Sequence, residues 1–249
     1  MKRNHLNAFA IGAVLFAGLT FTACKKSTFE NNNPEVAGLM AVNLAFDKSI
    51  AIGINGNALT NNPLEFTNFT GGYLGVFPGT RSVDTYAYPS GDSLATASYE
   101  FEAKKYYSLF VVGANNAYQN VIVKDNFDSL SASSGKAYVR YINAINGSVN
   151  PTITVSSGGS NVINGQASFA VVSDFVAVAP GESTITVTDG TSVNLNRSVT
   201  FEDKKVYTIL LTSGATSAEP AQIKYVVNGV LDEETGQRTI SSAQVVDIK

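Results

Sequence analysis

Two carboxylates one residue apart, Glu100 and Glu102, are the first place where residue type and spacing could support catalysis. Alternate residues of a strand project to one face, so the pair would stand together opposite Phe101. Acid–base work needs two such groups whose environments push their pKa values apart. With Phe101 directed into a core, both glutamates face water and nothing separates them. The pair does not recur either: Glu102 has a counterpart in Glu202, whereas Glu100 is matched by Thr200. A charged strand edge is expected here, and no residue is assigned a catalytic role.

The absences narrow the chemistry further. His5 and Cys24 are the one histidine and the one cysteine, and there is no tryptophan. Beyond residue 24 a Ser-His-Asp or Cys-His arrangement is excluded, as are zinc sites built from His and Cys. Asp125, Asp128 and Asp203 could contribute to a calcium site, yet no ligand-loop spacing joins them, so no metal is expected. Ser157-Gly158-Gly159 lacks the lysine and the following helix that a phosphate cradle requires. No cofactor is implied.

Binding is the more open class. Tyr86 and Tyr88 share a strand face, and Tyr99 is expected opposite them on the paired strand. Together they would form an aromatic patch able to stack on a sugar ring or on a partner's apolar surface. Packing within the core or between domains is the alternative. Tyr107 and Tyr207 recur just after a Lys-Lys pair, and a phenol bonded to backbone, as in a tyrosine corner, is expected of both.

These residues need a scaffold, and the sequence writes it twice. Phe77-Pro78-Gly79 and a later Phe101-Glu102-Ala103-Lys104-Lys105 return as Ala179-Pro180-Gly181 and Phe201-Glu202-Asp203-Lys204-Lys205. The offset is 102 at the prolines and 100 at the phenylalanines, so the intervening hairpin differs by two residues. Ile50, Ile52 and Ile54 alternate before Asn55-Gly56, and Asp189-Gly190 marks a second hairpin. Tyr106 to Val112 and Val206 to Thr212 are apolar on both faces, as central strands would be. About seven short strands per copy, with turns every eight to twelve residues, predict two tandem immunoglobulin-like β-sandwiches, all-β throughout. They are placed at 38–130 and 136–230, with the polar stretch from Asp125 to Ser134 as the boundary. Residues 231–249 form a C-terminal extension or a hairpin across Thr235-Gly236.

The amino terminus reads as an export signal over 1–23, with Lys2 and Arg3 ahead of an apolar run from Ala8 to Phe21. Small residues precede Cys24, as where a signal peptidase cuts and the cysteine takes a lipid. Residues 24–37, with Asn31-Asn32-Asn33-Pro34, form a tether. Removing 1–23 takes away two positive charges and no acid, which moves the net charge from −3 to −5. An acidic protein of this kind has no electrostatic footprint for nucleic acid.

Paired modules with an opening strand such as Val139-Arg140-Tyr141-Ile142-Asn143-Ala144, a Pro-Gly turn and a start such as Lys205-Val206-Tyr207-Thr208 resemble the DUF4397 family. In the first copy the opening strand Met40-Ala41-Val42-Asn43-Leu44-Ala45 lacks the arginine. The resemblance covers roughly residues 38 to 230 and implies an exported fold without an assigned chemistry. The lipidated, Asn-rich and aromatic-rich style resembles proteins of Bacteroidota. Asp92-Ser93-Leu94 and Asp128-Ser129-Leu130 resemble the O-glycosylation signal of that lineage, which nominates Ser93 and Ser129. The expected function is a non-enzymatic, lipid-anchored cell-envelope module, held at the membrane, most simply the outer one, through Cys24. It would engage a protein or glycan partner; a fimbrial or adhesin subunit and a carbohydrate-binding envelope protein are the alternatives.

Overall fold

The computed structural model describes residues 35–147, 150–216, 218–232 and 239–240. The expected signal, Cys24 and most of the tether lie outside the described residues. The first copy consists of β1 (Ala37–Ala45), β2 (Ser49–Ile54), β3 (Asn57–Ala58), β4 (Leu74–Val76), β5 (Gly79–Tyr88), β6 (Ser93–Phe101), β7 (Tyr106–Ala114) and β8 (Ala117–Lys124). The second consists of β9 (Ala137–Ala144), β10 (Thr152–Ser157), β11 (Ser160–Gln166), β12 (Val176–Val178), β13 (Gly181–Thr188), β14 (Asn194–Phe201), β15 (Lys205–Thr212) and β16 (Gln222–Asp232). A short β17 (Thr239–Ile240) pairs with the end of β16, and the intervening 233–238, with the turn expected at Thr235-Gly236, lie outside the described residues.

Each copy is a β-sandwich. Its inner sheet runs β4-β1-β7-β8 in the first copy and β12-β9-β15-β16-β17 in the second; its outer sheet runs β3-β2-β5-β6 and β11-β10-β13-β14. Alternation explains the layers. Leu39, Ala41, Leu109 and Val111 of the first inner sheet meet Ile50, Ile52 and Val83 of the outer one. Val139, Ile209 and Leu211 meet Ile153, Val155 and Ile185 in the second copy. Pro78-Gly79 and Pro180-Gly181 occupy the same place in both: each glycine has positive φ (99° and 119°) and stands opposite Phe101 or Phe201 in the following hairpin. Opening and late strands pair in parallel, β1 with β7 and β9 with β15, so each inner sheet is mixed. Alternation along single strands carries no sign of that pairing.

Tight turns fall where small residues permit positive φ. Asn55-Gly56, Asn115-Asn116 and Gly158-Gly159 each link paired strands through two such residues, as primed hairpin turns require. The hairpin expected at Asp189-Gly190 forms between β13 and β14, through a longer loop than the primed turns. Thr188 pairs with Asn194, which leaves five residues in the loop. The Asp189 carboxylate explains it: Oδ1 accepts the N–H groups of Thr191, Ser192 and Val193 at 2.8 Å each, and Oδ2 accepts the Ser192 hydroxyl. An aspartate that can gather three amides competes with the simpler turn.

The two sandwiches are not beads on a string. Met40, Val42, Leu44, Phe110 and Val112 on the outward side of the first inner sheet pack against Ile142, Ala144, Leu210 and Val226 of the second. All are buried, so the described residues form four layers with three cores between them. Burying one Val, Leu, Ile, Phe or Met side chain stabilises by about 1.5–3 kcal/mol, and eight contribute beside Ala144. The polar boundary expected from Asp125 to Ser134 does connect the copies, but Asp125, Phe127, Leu130 and Ala132 within it are buried. Phe127, Leu130 and Ala132 join Tyr138, Val206 and Leu231 in a cluster that continues the interlayer core.

Candidate functional site

A buried polar cluster sits where the inner sheets meet. Arg140 on β9 takes the register place that Met40 holds on β1, so its guanidinium enters the interlayer core. Nε donates to Thr208 Oγ1 at 2.9 Å and Nη2 to Ser108 Oγ at 2.8 Å, and Nη1 lies 2.6 Å from Asp125 Oδ1. That last approach is an ion pair by distance, with no N–H aimed along it. Asp125 Oδ2 accepts the Tyr73 phenol at 2.6 Å and the Ser108 hydroxyl at 2.7 Å. Thr208 donates to Asn228 Oδ1, and Asn228 Nδ2 returns to the Tyr73 oxygen at 3.1 Å. The Phe175 ring lies over the guanidinium, 4.4 Å from its carbon, a favourable place for a desolvated cation.

Burial, with the Asp125 charge beside it, pushes the Tyr73 phenol well above the usual tyrosine range. The phenol therefore stays a donor. Every charge in the cluster is matched, and the side chains join β7 and the residues just before β4 and just after β8 in the first copy to β9, β15 and β16 in the second. This arrangement locks the layers together. The sequence signal for it was an arginine inside a strand apolar on both faces.

The sequence-nominated residues scatter. Glu100 and Glu102 are exposed; the Thr80 hydroxyl bonds to Glu100, and Lys124 donates to Glu102 at 2.5 Å. Asp125 faces Arg140, Asp128 pairs with Lys105, and Asp203 accepts the N–H groups of Gly135 and Lys136. No cluster of metal-ligating side chains occurs among the described residues.

The expected aromatic patch is not assembled. Tyr86 and Tyr88 stand on the outer face of β5, Tyr88 largely in water and Tyr86 opposite Ala51 with its ring beside Gly53. Tyr99 pairs with Arg81 and turns inward, packing at 5.4 Å from Phe101 and 5.6 Å from Tyr107. A register shift between Thr85 and Tyr86 sets Ser93 opposite Tyr86. Ser93 is exposed at the start of β6, and Ser129 is exposed at the end of a short 3-10 turn, its hydroxyl donating to the Asn126 carbonyl. Tyr107 and Tyr207 do what their recurrence predicted: each buried phenol accepts a backbone N–H, from Glu102 and Glu202, at 2.9 Å.

One cleft went unread in the sequence. About 450 Å³ opens at the tip of the first sandwich, between the edges β3 and β4, lined by Leu59, Leu74, Val76, Phe77, Asn57 and Arg81 among others. Phe77 is 60% exposed. Arg81 is held across the mouth by hydrogen bonds from Nε to the Phe77 carbonyl (3.0 Å) and from Nη2 to that of Pro78.

The sequence matches the family described as "Domain of unknown function (DUF4397)" twice, over residues 37–150 and 137–240, and the chain belongs to that family. No curated protein matches it. Among solved structures it is similar to the family CBM26 module CBMbc of Eubacterium rectale, solved with maltoheptaose. Identity there is 11% over 76% of this chain and 95% of that one, with a TM-score of 0.26. It is also similar to a candidate cell adhesion protein of Bacteroides uniformis, at 13% identity over 78% of this chain and 98% of that one, with a TM-score of 0.23. A candidate cell adhesion protein of Bacteroides ovatus is 10% identical over 86% and 98% of the two chains, with a TM-score of 0.22.

Proposed function

We propose that this protein is a non-enzymatic interaction module of the cell envelope, anchored through a lipid on Cys24 and facing a protein or glycan partner outside the cytoplasm. The observation that carries the reading is the buried cluster around Arg140 and Asp125. The charges this fold withdraws from water bind its own layers together, which yields a stiff block suited to presenting loops at its ends. The carboxylates once considered for acid–base work are solvated and occupied by Thr80 and Lys124.

Two measurements test it. Cells fed a labelled fatty acid should label the protein, and Cys24→Ala should abolish the label; equal labelling of both overturns the anchor. Purified protein offered isolated envelope polysaccharides and intact cells should bind saturably without shortening any glycan. Release of products, or no binding to either, defeats the interaction module.

A fimbrial or adhesin subunit is the second reading, and the free edges favour it. Among the described residues β6 and β14, nine and eight residues long, each pair on one side alone within their sheets, and such edges accept an added strand. Filaments in the purified protein would support that reading; a monodisperse particle would support the first.

A further inference from the structure

The two copies differ most usefully at their tips. In the second copy β10 runs two residues past the point where β2 turns: Val155 stands opposite Ile185 as Ile54 stands opposite Val83, yet the strand continues through Ser157 before turning at Gly158-Gly159. The seven-residue β11 then lies along it, and the Ser157 hydroxyl reaches the Ala179 carbonyl at 3.0 Å. That tip is shut. In the first copy the chain turns early at Asn55-Gly56 and β3 is cut to two residues, which leaves the cleft open.

The same place carries two changed side chains. Phe77 stands where the second copy has Ala179, and Arg81 where it has the buried Ser183. The second copy is an internal control, because it folds with alanine and serine there. The aromatic ring is therefore not required by the sandwich, and it is left mostly in water. Among the described residues Arg81 is the one charged residue lining the cleft, and no acid lines it. Its Nε and Nη2 are tied to carbonyls, which fixes the plane of the guanidinium, while Nη1 has no partner among the described residues.

We propose that this cleft binds an acidic sugar residue of a polysaccharide, the ring stacking on Phe77 and the carboxylate meeting Arg81. A flat exposed ring suits the apolar face of a pyranose. A fixed guanidinium without a counter-charge suits a carboxylate. Asn57 beside them adds an amide for ring hydroxyls. This rests on the interaction-module reading and names the ligand class of one surface within it.

The test uses the purified protein with oligogalacturonate and neutral oligogalactose of equal length, in calorimetry. Oligogalacturonate should bind and oligogalactose bind at least about tenfold more weakly. Phe77→Ala and Arg81→Ser, which copy the second tip, should each weaken oligogalacturonate by about tenfold or more and leave the melting temperature unchanged. Binding that survives both variants overturns this site while leaving the interaction module standing. Equal affinity for the neutral chain, or no affinity for oligogalacturonate, overturns the acidic-sugar assignment, and the polysaccharide and cell-binding assays above then judge the module separately.

Discussion

Arg140 Nη1 of the second copy lies 2.6 Å from Asp125 Oδ1, just beyond the last strand of the first, and both side chains are all but removed from solvent. One ion pair thus spans the junction of two sandwiches that share an interlayer core. Truncating one partner strands the other in a dry site, which is the costly event. Arg140→Met, which restores the residue of the first copy, is expected to cost about 3–5 kcal/mol. Adding Asp125→Asn should recover a large part of that loss. Urea unfolding of the two single variants and the double closes the cycle; strict additivity would show that the pair is not coupled.

Tyr207 gives an alkaline prediction. Burial first, with the Glu202 charge adding to it, raises its phenol to about 12. A pKa raised in the folded state contributes stability that is whole below the unfolded value near 10 and disappears as pH climbs through the folded one. Thermal melts should therefore fall between about pH 10 and 12, and Tyr207→Phe should flatten that decline. At neutral pH the same variant should lose about 1 kcal/mol, because the Glu202 N–H forfeits its acceptor.

Asp189 acts at the opposite end of the pH scale. Three backbone amides and a serine hydroxyl hold its carboxyl far below the usual carboxylate range. A depressed pKa contributes stability present above the unfolded value near 4 and lost as pH drops below it. Asp189→Ala should lower the melting temperature at pH 7 and leave less to lose on acidification. Parallel melts at pH 7 and pH 3 check this; identical acid sensitivity would dismiss the loop as a contributor.

Gly113 stands next to last in β7 with φ at 121°, and a Cβ there would come within 2.0 Å of the Ala117 carbonyl oxygen. The obstacle is backbone, which cannot swing aside. Gly113→Ala should cost more than about 2 kcal/mol or prevent folding, read from soluble yield and denaturant midpoint. A variant as stable as the parent would mean that the Asn115-Asn116 hairpin has an alternative register.

Much of the fold was legible because the sequence states it twice. The Pro-Gly turns, the Lys-Lys turns and the paired tyrosines sit at matching positions, and Lys104 and Lys204 share even an unusual φ of 61°. The third core was written in the sequence but misassigned. Tyr106 to Val112 is apolar on both faces, and in a two-layer sandwich one of those faces would meet water, so such a strand demands another layer. The demand was read as centrality within one sheet. Asp125 was hidden by its polar neighbours, since composition cannot tell a buried carboxylate from a solvated one without its partner. Tyr99 was misplaced by parity: it lies opposite Arg81, so it shares the inward face of Val83 and Thr85, away from Tyr86 and Tyr88. The cleft at Phe77 escaped because it depends on a hairpin ending two residues early, a difference visible only once the copies are superimposed in register.

The interlayer core draws on equivalent positions from both halves, Val42 with Ile142 and Phe110 with Leu210. A polypeptide carrying a single half would therefore leave an oily sheet face bare, and that face would suit its own twin. Fusion in one chain does the work of a dimer at unlimited dilution, and it frees each half to diverge, as Arg140 in the place of Met40 records.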